Sequence, residues 1–460
     1  MIRSLGRGMS HFAHRWVPDP FAIALLLTLF TLAMAAMASE ASVADTVGYW
    51  GGRLKGDELL SRESGFWKLL TFAMQMCLIL VTGHALASTG PVTRLVERLA
   101  NIPRRQTHAI ALTAVVAMCF ALVNWGLGLI VGALLARQMA VSSKRRGLRV
   151  HYPLLGAAGY TGLLVWHGGL SGSAPLKITQ TKDLAEILGR TDITPVTLAD
   201  TLFSPMNLVI CGALLVLVPL ILMTMAPPDE EIVEIEDEPA PPTSVPTGTE
   251  EPLTPAQRLE RSPVLVWLIA AVSGFYLVRY LGTIGVASID LNGINLIFLT
   301  LGLVLHGSAR AYGEAITDGV RGCAGIILQF PFYAGIMGVM ALSGLVGVMA
   351  QGVAEVATEA TFAPLTMISA GLVNLFVPSG GGQWAIQGPL VVQSAEALGV
   401  PLGKAVMAFA YGDAWTNMLQ PFWALPLLGI TGLEARQIVG YTATLMILVL
   451  PVYLIGFALF

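Results

Sequence analysis

Charge is what this chain has least of. Of 460 residues, only 12% are Asp, Glu, Lys or Arg, against about 25% in an ordinary soluble domain. That excludes a single soluble globular unit. There is no basic stripe with interleaved aromatics, so nucleic acid is not a partner class. Cysteine is almost as scarce. Cys77, Cys119, Cys211 and Cys323 stand singly in apolar sequence, without the CxxC or CxxH spacing that zinc or redox chemistry requires. Catalytic signatures are missing too: no HExxH, no GxSxG and no GxxxxGK[ST]. The chain therefore does not read as an enzyme, and no cofactor is implied.

What is present is apolar sequence in long blocks, 55% of the chain with a mean hydropathy of +0.71. Blocks of about 20 apolar residues cross a bilayer core, so the composition predicts a polytopic, all-α membrane protein. Arg3, Arg7 and Arg15 precede the run at 21–38. This resembles a signal peptide but reads better as an uncleaved first span starting in the cytoplasm. The stretch 227–262, "PPDEEIVEIEDEPAPPTSVPTGTEEPLTPAQRLERS", is acidic and proline-rich, and predicts a disordered cytoplasmic linker. It divides a first membrane half, 1–226, from a second, 263–460.

Arginine and lysine at 94–105 and 137–149 place both segments on the cytoplasmic side. The apolar stretch between them, 108–136, is interrupted by "NWGLG" and leaves arms of only about 14–16 residues, short for a span. It reads as a re-entrant hairpin. A second hairpin is expected at 364–398 around "VPSGGGQW". The expected total is nine spans plus two hairpins, with the N-terminus inside. An internal repeat supports it. "FAMQMCLILVTGHALASTG" aligns with "IILQFPFYAGIMGVMALSG", Asn124 falls opposite Asn374, and His167 falls near Asp413. The two units begin on opposite sides, the inverted build of many secondary transporters.

Four polar breaks at membrane depth follow: 124–128, 167–175, 378–383 and 411–417. Bare backbone is tolerated there only where protein buries it or a cavity wets it. In "VPSGGGQW", Pro378 ends one arm, and Gly380, Gly381 and Gly382 let backbone approach a ligand. The N–H groups of an arm starting near Gln383 suit a carboxylate, helped by Ser379 and Gln383. Asp413 is the acid most able to carry a coupled proton or Na⁺, with Thr416 and Asn417 as further oxygens. His167 is either a proton relay or a packing residue. Trp125 and Trp384 flank the tips and can wall a small apolar pocket.

"NLFVPSGGGQWAIQGP", "FAMQMCLILVTGHALA" and "YGDAWTNMLQPFWALPLL" resemble the short-chain fatty acid transporter family of the AtoE type, and more distantly the ion transporter superfamily. The resemblance implies a bacterial inner-membrane carrier for acetoacetate, butyrate and similar monocarboxylates, coupled to H⁺ or Na⁺ and working as a homodimer. It implies substrate contacts at Asn124, Trp125 and Gly126, at Ser171 and Ser173, and at Asn374 and Ser379–Trp384, with cation coupling at His167, Asp413, Thr416 and Asn417. The Ser-Asn-Thr triplets of the superfamily's dicarboxylate carriers are absent from both tips. A channel or uniporter, and a Na⁺-coupled dicarboxylate carrier, are the alternatives.

Overall fold

The computed structural model describes residues 2–52, 54–55, 58–59, 65–179, 195–236, 254–285, 290–354 and 356–460. It is almost wholly helical. Among the described residues the one sheet is a two-stranded ribbon, Leu54–Lys55 against Glu58–Leu59. Among the described residues, eight helices are long and apolar enough to cross a membrane. Their exposure separates them into two kinds. Pro20–Ala38 and Pro263–Thr283 are only 22% buried, and they expose Leu29, Val272 and Phe275. A helix apolar on all faces with little of it covered is stable only where its surroundings are apolar too. Trp125–Arg145, by contrast, is 67% buried and belongs to the packed interior.

Seven helices position the polar breaks and carry labels here. They are α1 (Gln106–Val123), α2 (Trp125–Arg145), α3 (Tyr152–Tyr160), α4 (Ser173–Lys177), α5 (Glu359–Asn374), α6 (Gly380–Leu398) and α7 (Leu402–Thr416). The pairs α1/α2 and α5/α6 are helix–tip–helix units. In each half one such unit is followed by a helix that breaks.

The arms of the first unit are 18 and 21 residues, longer than the interruption "NWGLG" predicted. The break is one residue wide. Asn124 alone is extended (φ −154°, ψ 129°), and its Oδ1 accepts from the N–H groups of Gly126 and Leu127 at 3.0 and 3.2 Å. That cap lets the helix restart at Trp125, so Gly126 and Gly128 are helical rather than loop. Arm length therefore no longer separates a re-entrant hairpin from two spans. The second unit restarts at Gly380, three residues before the expected start near Gln383. The cause is again a cap: Ser379 Oγ accepts from Gly382 N–H at 3.2 Å.

The break expected at 411–417 falls later. α7 runs through Asp413 to Thr416, and the chain leaves the helix at Asn417–Gln420. Pro421 forces this position, because the residue before a proline is driven to extended backbone, and Gln420 has φ −84°, ψ 108°.

The beginning of the acidic segment is pinned rather than free. Gln106 Nε2 donates to Pro227 O, Val233 N–H donates to His151 Nδ1 at 3.0 Å, and Lys144 Nζ donates to Ile235 O at 2.8 Å. Glu231 pairs with Arg7, and Glu234 with Arg149. Main-chain donors and basic neighbours hold what composition alone assigned to solvent. Residues 237–253 lie outside the described residues, and 254–260 form a capped helical turn.

Candidate functional site

The loop after Val165 joins the two tips. Trp166–Gly168 form one 3-10 turn, the chain turns through Gly169 and Gly172, and α4 begins at Ser173. The first tip seats on this loop by backbone. Leu170 N–H donates to Leu122 O at 2.7 Å, and Trp125 N–H donates to Ser171 Oγ at 3.0 Å. With Gly126 and Leu127 held by Asn124, the opening N–H groups of α2 are all engaged. Asn124 and Ser171 are thus committed to building the tip.

The second tip meets the other side of the same loop. A Cβ on Gly380 would lie 2.8 Å from His167 Cε1 and 2.9 Å from Trp166 Cη2. Only a glycine allows that approach. Gly381 O accepts from Lys177 Nζ at 3.4 Å, and Ser173 Oγ lies beside the same glycine. The N–H groups of Gly380 and Gly381 make no hydrogen bond among the described residues. Two open donors at the positive end of a 19-residue helix, an ammonium group and a serine hydroxyl therefore share one small region. That is a donor set for an anion.

Gln383 and Trp384 do other work. Gln383 is fully buried and donates to Ala370 O at 2.7 Å and to Gln387 Oε1, while Gln387 reaches Ser369, so it ties α6 to α5. Trp384 packs edge-on against Phe409 at 4.9 Å, in a core cluster that also holds Ala174 and Ile178. Trp125 instead stands T-shaped to Trp166 at 6.3 Å and to Trp423 at 5.0 Å, with Phe72 beside it. The aromatic wall next to the tips is therefore Trp125, Trp166 and Trp423.

The residues expected to hold a cation divide into two groups. Asp413 Oδ2 lies 2.8 Å from His167 Nδ1, and both side chains are almost fully buried, 2% and 0% exposed. His167 Nε2 accepts from Ala174 N–H at 3.1 Å. An acceptor nitrogen carries no proton, so the ring is the neutral tautomer with its proton on Nδ1, donated to Asp413. Thr416 and Asn417 face elsewhere. Thr416 Oγ1, Asn417 Oδ1 and Asp413 O accept from Asn374 Nδ2 at 3.0, 2.9 and 2.9 Å. Gln420 Nε2 closes the network on Asn374 O at 2.8 Å, and Tyr160 Oη donates to Asn417 O and Gln420 O. Asn374 Oδ1 is buried and has no hydrogen-bond partner among the described residues.

Sequence reading missed Lys177 and the role of Ala174 N–H, and gave the aromatic wall to Trp125 and Trp384 without Trp166. Lys177 left a signal: it is the one Lys or Arg between Arg149 and Lys182, in sequence otherwise without charge.

A sequence profile described as "Short chain fatty acid transporter" matches residues 1–460. An Escherichia coli (strain K12) protein provisionally named short-chain fatty acid transporter is 42% identical over 466 residues, covering all of both chains. A Haemophilus influenzae (strain ATCC 51907 / DSM 11121 / KW20 / Rd) protein with the same provisional name is 38% identical over 460 residues, 99% of each chain. Among solved structures, the Alcanivorax borkumensis YdaH transporter covers 96% of this chain and 97% of its own, at 15% identity and a TM-score of 0.41.

Proposed function

Because this chain belongs to the short-chain fatty acid transporter family, whose members are multi-pass membrane transporters, we propose that it imports small monocarboxylates such as butyrate and acetoacetate by secondary active transport. The observation that carries this reading is the open donor set at the second tip: Gly380 N–H, Gly381 N–H, Lys177 Nζ and Ser173 Oγ. One carboxylate fills such a set. Nothing comparable is open at the first tip, where Asn124 and Ser171 already use the N–H groups. A second carboxylate would have no matching donors, which favours monocarboxylates over dicarboxylates.

The acyl chain lies against Trp125 and Trp166, where each buried CH₂ contributes about 0.8 kcal/mol. The two tips act as re-entrant hairpins, related through an inverted repeat, that alternately close the site from either side. Asp413 with His167 carries the coupled cation, while Asn374, Thr416 and Asn417 hold the neighbouring helix ends. The carrier resides in a bacterial inner membrane as a homodimer, with its N-terminus and acidic strap on the cytoplasmic side, where the arginines at 94–105 and 137–149 also belong.

Uptake of labelled butyrate and acetoacetate into proteoliposomes tests this reading. The expected result is accumulation above equilibrium under an imposed pH or Na⁺ gradient, and its loss in Asp413→Asn. Equilibration without accumulation would mean a uniporter or channel. Absence of flux for both acids would remove the substrate class.

A further inference from the structure

The bond between Ala174 N–H and His167 Nε2 links a proton site to the anion donors. We infer that His167 is the switch through which a proton moves the substrate-binding helix, so the coupling ion is H⁺ and not Na⁺. This rests on the transport reading above and deepens it.

The argument is one of valence. His167 has two ring nitrogens, and both are in use. Nδ1–H donates to Asp413, and Nε2 accepts from Ala174 N–H at 3.1 Å. A proton that enters this buried pair can bind the Asp413 carboxylate or His167 Nε2, and only binding at Nε2 touches the hydrogen bond to α4. The only nitrogen able to take it is Nε2. When it does, an N–H bond forms at Nε2, the imidazolium pairs with the carboxylate, and the hydrogen bond from Ala174 breaks, because an imidazolium has no acceptor. The Ala174 N–H is then buried without a partner, a cost of about 1–3 kcal/mol. α4 relieves that cost by shifting its first turn, and the same five-residue helix carries Ser173 and Lys177. Release of the proton from Nε2 to the opposite aqueous phase restores the bond and the helix. One proton thus enters and leaves for each cycle, and no oxidation or covalent change is involved.

Among the described residues, the Asp413 carboxylate is the other seat for the proton near the ring, and a proton there would leave the Ala174 bond intact and the protection of α4 constant. Asp413 on α7 faces the ring at 2.8 Å, and Lys177 on α4 lies at the second tip, where its Nζ donates to Gly381 O. Cys211 Sγ and Tyr411 Oη lie near the adjoining Gly168, where Tyr411 Oη donates to Asn207 Oδ1. The thiol and phenol are uncharged in the neutral range. Gly380, stacked on the ring edge, brings backbone only. The second tip and α4 therefore both rest on one imidazole, and a change at Nε2 reaches both.

The test is hydrogen exchange of the segment 173–178 in the full chain reconstituted in lipid nanodiscs, without substrate, compared at about pH 8 and about pH 5, on either side of the unperturbed histidine value. After correction for the intrinsic pH dependence, protection of this segment should fall about tenfold on acidification, the loss of one hydrogen bond. In His167→Gln, Oε1 can accept from Ala174 but takes no proton, so protection should be flat with pH, and pH-driven accumulation of butyrate should be lost. Constant protection in the unaltered protein would overturn the inference, and that result needs no variant to fold. Accumulation driven by a Na⁺ gradient with no response to a pH gradient would overturn it as well. Because the exchange measurement needs no substrate, a failure to carry butyrate would strike the substrate assignment alone.

Discussion

Lys177 is the residue on which the substrate reading leans most. Its ammonium lies at 3.4 Å from Gly381 O, beside the two open glycine donors. A charge-assisted hydrogen bond contributes about 1.5–3 kcal/mol. Lys177→Met is therefore expected to raise the KM for butyrate about tenfold to a hundredfold with the protein still folded, read from uptake kinetics and thermal unfolding side by side. Gly380 is a steric case. A methyl group there would meet His167 at 2.8 Å and Trp166 at 2.9 Å. Gly380→Ala should push the tip off the loop, abolish accumulation, and destabilise by about 1–3 kcal/mol, the ordinary cost of overpacking. An Ala substitution at the open Gly90, which has no neighbour within 4 Å, is the control expected to be silent. Gln383 would mislead a purely local reading. Its side chain is polar and lies beside the tip, yet both its donor bonds run to α5 and its own helix.

At the scale of elements, two contacts decide behaviour. The crossing of α2 and α3 depends on Gly132 and Gly159. A Cβ on either would lie 2.2 or 2.5 Å from the carbonyl oxygen of the other. Gly132→Leu should therefore separate the helices and lower the unfolding temperature in detergent, at a cost of at least about 1–3 kcal/mol. The second contact is the acidic strap at 227–236. Burial lowers the pKa of His151 from 6.5 to about 4, and in the docked strap Val233 N–H donates to its Nδ1, so the neutral ring is the one the strap binds. A free His151 would bind a proton near its ordinary value, so docking is at full strength above about pH 6.5 and weakens as pH falls toward 4. The full window is worth about 3 kcal/mol. Exchange of the 227–236 amides is expected to rise through that range, and His151→Gln should flatten the response above about pH 5, where Glu231 and Glu234 stay ionised.

For the whole molecule, one proton and one monocarboxylate anion sum to zero charge. Butyrate accumulation should therefore respond to an imposed pH difference and be insensitive to membrane potential clamped with a potassium ionophore. Potential-driven accumulation at zero pH difference would contradict that stoichiometry. The exposed apolar faces of Pro20–Ala38 and Pro263–Ile284 belong to the same scale. They are a solubility fault in water and cost nothing in lipid, so their stability is a property of the molecule in its solvent and not of either helix.

Much of this was readable before any fold was known, and the physics says which part. Low charge and long apolar blocks leave a chain no soluble option. The chemistry of glycine, proline and the capping residues is local, so Asn124 and "PSGGG" mark tips wherever they are placed. Pro421 and Asn417 likewise mark a helix end, although the end lies after Asp413, not around it. Local rules stop at the question of which break faces which. The His167–Asp413 bond joins residues 246 positions apart, and Lys177 reaches Gly381 across 204. Neither spacing leaves a periodic trace, because packing of α4, α6 and α7 sets it. The neutral tautomer of His167 depends on a single amide, Ala174 N–H, and so on where the chain turns after Gly168. Composition and capping chemistry determined a membrane-embedded helical protein with open, glycine-built tips. Tertiary packing alone decided that Lys177 stands at one tip, that Asp413 and His167 are hydrogen-bonded beside it, and that the short helix carrying Lys177 also bonds the imidazole through Ala174 N–H.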